Sequence, residues 1–191
     1  MSKKSITLAE LRLKNDSDPA RVARQGEYER TATERVAKMR SEQAPLLKEL
    51  ASVRVHYETL GRMLNSAGPY EAAIPILLAH LEKPYSIPTR ETIARCLAVP
   101  DARYAWPKLV ELYRREPAVG ERGMEGAKDG LAVALAATAT AATIDKLIDI
   151  AKDRSHGPSR VLLLRPLRRS KLPSAKQAIE ELAPIQSLRK R

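Results

Sequence analysis

Three segments of this chain resemble one another in register, and this internal repetition constrains the fold more than any other feature. The segment PTRETIARCL (88–97) aligns with PSRVLLLRPL (158–167), and GAKDGLAVAL (126–135) lies between them at offsets of 38 and 32 residues. The alignment gives one equivalent basic position to Arg90, Lys128 and Arg160. Repetition at intervals in the thirties indicates supersecondary units that stack side by side.

A second series of repeats alternates with the first and is marked by proline. Pro45, Pro75 and Pro107 are 30 and 32 residues apart, and each is followed two residues later by a leucine. Two alternating motifs per repeat predict a pair of helices in each unit. A single pair of this length cannot cover its own apolar stripe, so a neighbouring copy has to cover it.

The composition favours helices over sheets. Hydrophobic residues make up 43% of the 191 residues, but aromatic residues make up only 4%, and Phe is absent. Strand-like alternation of apolar and polar residues is nearly absent. Short Pro/Gly/Ser stretches such as SAGP (66–69) and RSHGP (154–158) separate the helical segments. We therefore predict an all-α fold.

The pattern AAIPILLAHL…PTRETIARCLAV resembles a HEAT repeat, in which a proline-bearing first helix precedes a second helix that begins with a basic residue. Three stretches, AIPILLAHL, KDGLAVALA and DRSHGPSRVLLL, are also similar to bacterial HEAT-repeat proteins without assigned activity. The resemblance implies a right-handed, HEAT/ARM-like α-solenoid of stacked antiparallel helix pairs. It also implies that the second helices line a concave face.

These patterns predict three regions along the chain. Residues 1–27 form a polar N-terminal extension, residues 28–185 form a single HEAT-like solenoid domain, and residues 186–191 form a frayed basic tail. We expect the first helix to begin near Tyr28 or Glu29. The predicted units span about 28–66, 69–99, 101–138 and 141–171, with a partial unit at 173–185.

The positive charge is concentrated near the C-terminus. The net charge is +11, of which residues 1–66 carry +4, residues 67–156 carry zero and residues 157–191 carry +7. A local basic surface attracts an acidic protein or a phosphate backbone. By resemblance, the candidates for a partner-binding concave surface are Arg90, Arg95, Lys128, Arg160, Arg165, Arg168 and Arg169.

Two interpretations stay open for the equivalent basic position of the first series of repeats. Arg90, Lys128 and Arg160 either contact a partner or bond a carboxylate or carbonyl in an adjoining turn. In the segment 157–170, we expect a second helix in which Val161–Leu164 cover the core and Pro166 kinks or loosens the helix. The arginines that follow then leave the core. We predict that Tyr104 and Trp106 pack in the interior.

No catalytic motif is found in the sequence. His56, His80 and His156 are far apart and form no metal-binding pattern, and no phosphate-binding glycine loop or nucleophile elbow is present. The single cysteine, Cys96, excludes an internal disulfide and a cysteine-based zinc site. We predict that the protein is not an enzyme and uses no metal and no cofactor.

The sequence therefore predicts a non-catalytic interaction module. The expected partner is another protein with an acidic surface, and the role is that of an adaptor, a regulator or a toxin-neutralising immunity protein. The alternative is a nucleic-acid binder that uses the C-terminal basic helices. We expect a cytoplasmic protein, because the chain shows no apolar signal-peptide core and no run long enough to span a bilayer.

Overall fold

A computed structural model describes Thr7 and residues 18–66, 70–118 and 126–183. All regular secondary structure within these ranges is helical, as the composition predicts, and no described residue lies in a strand. The chain divides into two compact units, residues 1–42 and residues 43–191. The frayed basic tail predicted at 186–191 falls outside the described residues, as does most of the predicted N-terminal extension before residue 18.

The first helix, α1, spans Pro19–Ser52 and begins well before the predicted start near Tyr28. Asp18 explains the earlier start, because its carboxylate accepts a hydrogen bond from the Ala20 N–H at 3.0 Å. Pro19 follows at the first helical position, where a missing N–H costs little. The polar composition of residues 19–27 therefore does not prevent them from being helical.

Among its described residues, the second unit contains the end of α1, eight further α-helices and four 3₁₀ segments. The helices are α2 (Leu60–Leu64), α3 (Ile74–Leu81), α4 (Ile87–Cys96), α5 (Trp106–Arg115), α6 (Ala127–Thr138), α7 (Ile144–Lys152), α8 (Leu164–Arg169) and α9 (Pro173–Glu181). The 3₁₀ segments are Glu71–Ala73, Pro100–Ala105, Ala141–Thr143 and Arg154–Leu163.

Two of the three prolines in the series lie at the start of a helix, whereas Pro45 lies inside α1. Pro75 and Pro107 are each the second residue of a helix, α3 and α5, and each of these helices follows a 3₁₀ turn. Asp145 takes the same place in α7, which also follows a 3₁₀ turn. Proline is tolerated there because its missing N–H would have no partner inside the helix.

The helices that carry the first repeat pack against one another in order along the chain. α4 packs on α2 and on α6, and α6 packs in turn on the segment Arg154–Leu163. Within each helix pair, the two helices also contact each other: α3 packs on α4, and α5 packs on α6. Gly130 permits the contact of α4 with α6, because a Cβ atom at this position would lie only 2.5 Å from the Glu91 carbonyl oxygen.

The core of the second unit is mainly aliphatic, and Tyr70, Trp106 and Tyr113 are its buried aromatic members. Leucines at equivalent repeat positions, Leu97, Leu135 and Leu167, are all buried. Cys96 is fully buried, and its carbonyl accepts a hydrogen bond from the Tyr70 hydroxyl at 3.0 Å. Burial raises the pKa of the Cys96 thiol to about 12.

The segment 157–170 differs from the predicted single helix. Arg154–Leu163 forms 3₁₀ turns that are interrupted at Gly157, where φ is +67°, and the α-helix begins only at Leu164. The start at Leu164 places Pro166 in the first turn of α8, where its ring does not clash with a preceding helical carbonyl. Leu163 and Leu164 are buried as expected, whereas Val161 and Leu162 are half-buried.

Candidate functional site

An open groove of about 1140 Å³ lies in the second unit beside α6 and α8. Its apolar surface comes from small and aliphatic side chains. These include Val133, Ala136, Ala137, Ile144, Val161 and Leu162. The remaining walls come from the 3₁₀ turn Pro100–Ala105 and from the loop that connects α8 with α9. No aromatic side chain is among the described residues that line the groove.

Five basic side chains line this groove, and none of its described lining residues is acidic. They are Arg103, Arg165, Arg168, Arg169 and Lys171. All five are exposed. With no carboxylate among the lining residues, the groove presents a concentrated positive charge to solvent. We refer to these five residues as the basic rim.

The geometry of α8 explains why three of these arginines come together. Leu164 and Leu167 are buried and anchor one side of the helix in the core. Arg165, Arg168 and Arg169 stand at positions i, i+3 and i+4, which lie on one helical face. Burial of the leucines therefore turns the arginines toward solvent and into the groove.

Of the seven predicted contact residues, only Arg165, Arg168 and Arg169 line the groove. Arg90 instead forms a two-pronged ion pair with Glu116, with Nη1–Oε1 at 2.9 Å and Nη2–Oε2 at 2.5 Å. Arg95 donates from Nε to Glu91 Oε1 at 2.9 Å, one helical turn earlier. These two side chains are held by carboxylates of the same chain.

Lys128 and Arg160 lie in the interior, so we revise their assignment to an exposed binding surface. Lys128 is 3% exposed, and its Nζ donates to the Glu116 carbonyl oxygen at 2.5 Å. Burial lowers the pKa of Lys128. Arg160 is 6% exposed and donates to the carbonyl oxygens of Gly157 at 2.9 Å and Ala151 at 3.2 Å. These contacts match the alternative in which this position bonds groups in adjoining turns.

Sequence reasoning missed two members of the basic rim. Lys171 lies two residues after Arg169, in the sequence RRSK (168–171), so its closeness to the arginines of α8 could have indicated it. Arg103 lies in the 3₁₀ turn Pro100–Ala105, more than 60 residues before α8. No local pattern marks Arg103, because only the packing of successive helix pairs within the second unit brings its turn beside α8. Tyr104, predicted to be interior, is exposed, whereas Trp106 is buried.

The three histidines lie in unrelated surroundings. His80 is fully buried, and its ring nitrogens lie 2.7 Å from Tyr85 Oη and 2.7 Å from Glu49 Oε2. His156 packs edge-on against the ring of Tyr113, with ring centroids 4.9 Å apart. His56 is exposed.

The contacts of His80 and His156 fit satisfied structural side chains. In the described ranges, no three His, Cys, Asp or Glu side chains are grouped closely enough to hold a metal ion.

Comparisons with protein-family models, with curated proteins and with solved structures gave no match to this chain. Within the described residues, no helix is both long enough and apolar enough to cross a bilayer.

Proposed function

We propose that this protein is a non-catalytic interaction module of HEAT-like architecture, and that its basic groove binds an acidic segment of another protein. The observation that carries the proposal is the basic rim, in which five exposed cations surround an apolar floor with no acidic residue among the described lining. Such a module acts as an adaptor, as a regulator or as an immunity protein that blocks a toxin.

The order of helix packing supports the HEAT-like architecture. Two motifs alternate along the sequence, and the helices that carry the first motif contact each other in chain order, from α4 to α6 to Arg154–Leu163. Stacked repeats bury their apolar stripes against neighbouring units in this manner. The helix pairs α3–α4 and α5–α6 supply the two-helix units that the pattern requires.

The chemistry of the groove favours a peptide over a nucleic acid. Its floor consists of Ala, Val, Ile and Leu side chains, which suit the aliphatic side chains of a peptide. Proteins that bind single strands commonly stack bases on aromatic side chains, and none lines this groove. A duplex or RNA backbone that contacts only the arginines is the second candidate, and the net charge of +11 favours its attraction to the protein.

Fluorescence anisotropy with defined probes separates the two candidates. The probes are a labelled peptide of alternating Glu and Leu, a peptide of alternating Lys and Leu, a DNA duplex and a single-stranded RNA. We expect the acidic peptide to bind and the basic peptide not to bind. Changing Arg165, Arg168 and Arg169 together to Glu reverses three charges at the groove and should weaken acidic-peptide binding by about a hundredfold.

A matched control reverses three exposed arginines that do not line the groove, Arg62, Arg114 and Arg154. This control has the same net charge as the groove variant, so it isolates the effect of position from that of overall charge. Equal loss of peptide binding in both variants would contradict the proposed site. Tight, steeply salt-dependent binding of duplex or RNA without peptide binding would replace the protein partner by the second candidate.

A further inference from the structure

The five cations of the basic rim have no bonded partner among the described residues. None of their side chains forms a hydrogen bond or an ion pair there. Arg90 and Arg95, in contrast, are paired with Glu116 and Glu91. Positive charge that the described part of the chain does not compensate is therefore available to a ligand at the groove.

Four of these five cations are arginines, and only Lys171 is a lysine. The guanidinium group of arginine is a planar fork of N–H donors that matches two oxygens of a carboxylate or a phosphate, whereas the ammonium group of lysine acts as a point charge. Attraction by charge alone does not need this geometry. The excess of arginine therefore favours a ligand whose oxygens are held by directed hydrogen bonds.

Three of the arginines lie within a little more than one turn of α8. Arg168 and Arg169 follow Arg165 by three and four residues, a spacing at which Cβ atoms on a helix lie about 5–6 Å apart. A single carboxylate brings one negative charge and two oxygens to such a cluster. A phosphomonoester brings a charge of about −1.5 to −2 and three strong acceptor oxygens, so it can bind more than one guanidinium group at once.

The apolar floor beside the arginines limits what carries this phosphate. Val161 and Leu162 line the groove and are half-buried. A nucleic-acid backbone offers phosphodiesters with one charge each and no aliphatic group to cover this floor. A phosphorylated peptide supplies both the doubly charged phosphate and neighbouring aliphatic side chains.

We propose that the preferred ligand of the groove is a protein segment in which a phosphorylated serine or threonine stands beside aliphatic residues. The inference rests on the proposed function and names the chemistry of its partner. Arg165, Arg168 and Arg169 bind the phosphate, while Val161 and Leu162 contact the adjoining apolar side chains of the segment.

Fluorescence anisotropy with two matched peptides tests the preference. One is the labelled peptide of alternating Glu and Leu, and the other carries phosphoserine in place of its central Glu. We expect the phosphopeptide to bind about tenfold more tightly at pH 7.5. Equal affinities would overturn this inference and leave the proposed function standing, whereas failure of both peptides to bind would contradict the proposed function itself.

A charge-conserving variant separates directed binding from simple attraction. Changing Arg165, Arg168 and Arg169 together to Lys keeps the net charge but removes the forks, so phosphopeptide binding should weaken by about tenfold. The matched control changes Arg62, Arg114 and Arg154 to Lys, at exposed positions outside the groove, and should bind like the wild type. Circular dichroism checks that both variants keep their helices. Unchanged phosphopeptide binding by the groove variant would overturn the inference.

The pH dependence of binding identifies the phosphomonoester. Its second ionisation has a pKa near 6, so phosphopeptide affinity should fall by about threefold between pH 7.5 and pH 5.5. The Glu peptide should change little, because its carboxyl groups ionise near pH 4.3. No described lining residue of the groove is a histidine or a carboxylate, so the titrating group belongs to the ligand. Equal pH dependence of the two peptides, or binding of phosphatidic acid vesicles without binding of the phosphopeptide, would overturn the proposal.

Discussion

At the scale of single residues, one missing side chain determines how closely two helices approach. Gly130 of α6 faces the backbone of α4, where a Cβ atom would lie 2.5 Å from the Glu91 carbonyl oxygen and 3.0 Å from the Ala94 Cβ. Backbone atoms cannot rotate away as a flexible side chain can. Any larger residue at position 130 must therefore push the two helices apart.

We predict that Gly130→Ala lowers the free energy of unfolding by about 2 kcal/mol, because the cost of overpacking exceeds the gain in helix propensity. Urea denaturation followed by circular dichroism measures the change. Gly26→Ala is the matched control, because that glycine is also helical but has open space around it. It should leave stability unchanged or raise it by up to about 1 kcal/mol. A stabilising Gly130→Ala would contradict the close approach.

At the scale of elements, the end of α5 joins the starts of two helices that carry the first repeat. The Glu116 carboxylate pairs with Arg90 of α4, while the Glu116 carbonyl accepts from Lys128 of α6. Lys128 also lies 4.8 Å from the centre of the Tyr113 ring. The two equivalent basic residues thus converge on Glu116, the residue that follows α5.

We predict that Glu116→Gln lowers the free energy of unfolding by about 2 kcal/mol, because it leaves the Arg90 guanidinium without its carboxylate in a largely buried site. Thermal and urea unfolding measure the loss. Glu111→Gln is the comparison, since Glu111 pairs with Lys108 and Arg115 on the exposed face of α5. The Glu111 variant should unfold nearly as the wild type does. An equal loss of stability in both variants would show that the Arg90–Glu116 ion pair contributes no more to stability than the exposed ion pairs of Glu111.

Some of these elements could be predicted from the sequence, and others could not. The repeats correctly predicted helices in the regions of α3 to α7, because their prolines, basic residues and leucines act locally. The 3₁₀ turns of 154–163 escaped prediction, since they depend on the conformation of Gly157 and on the place of Pro166 in α8. The exposed arginines of α8 could be predicted because they alternate with buried leucines. Arg103, in contrast, reaches the groove only through the packing of separate helix pairs within the second unit.

At the scale of the whole molecule, the buried histidine His156 links folding to pH. Burial lowers the pKa of His156, and the nearby positive charges of Lys128, Arg114 and Arg160 act in the same direction, while Asp153 opposes them. The unfolded chain therefore binds a proton more readily than the folded chain near the ordinary value of 6.5. The resulting stability is fully present above that value and is lost as the pH falls below it.

We predict that the midpoint of thermal unfolding falls as the pH decreases from about 7.5 to about 5.5. His156→Phe keeps an aromatic ring against Tyr113 and should reduce this dependence. His56→Phe, at an exposed position, should keep the dependence of the wild type. A His156→Phe protein whose unfolding midpoint changes with pH as strongly as that of the wild type would assign the effect to other groups.

The state of Cys96 has a practical consequence for spectroscopy. Cys96 is the only cysteine of the chain, it is fully buried, and its thiol stays protonated at neutral pH because its pKa is about 12. Maleimide dyes react with exposed thiolates, so the native protein should resist labelling. A cysteine introduced at Ser170, which lines the groove, would therefore carry a single fluorophore without removal of Cys96. The emission of that fluorophore would then report when a ligand occupies the groove.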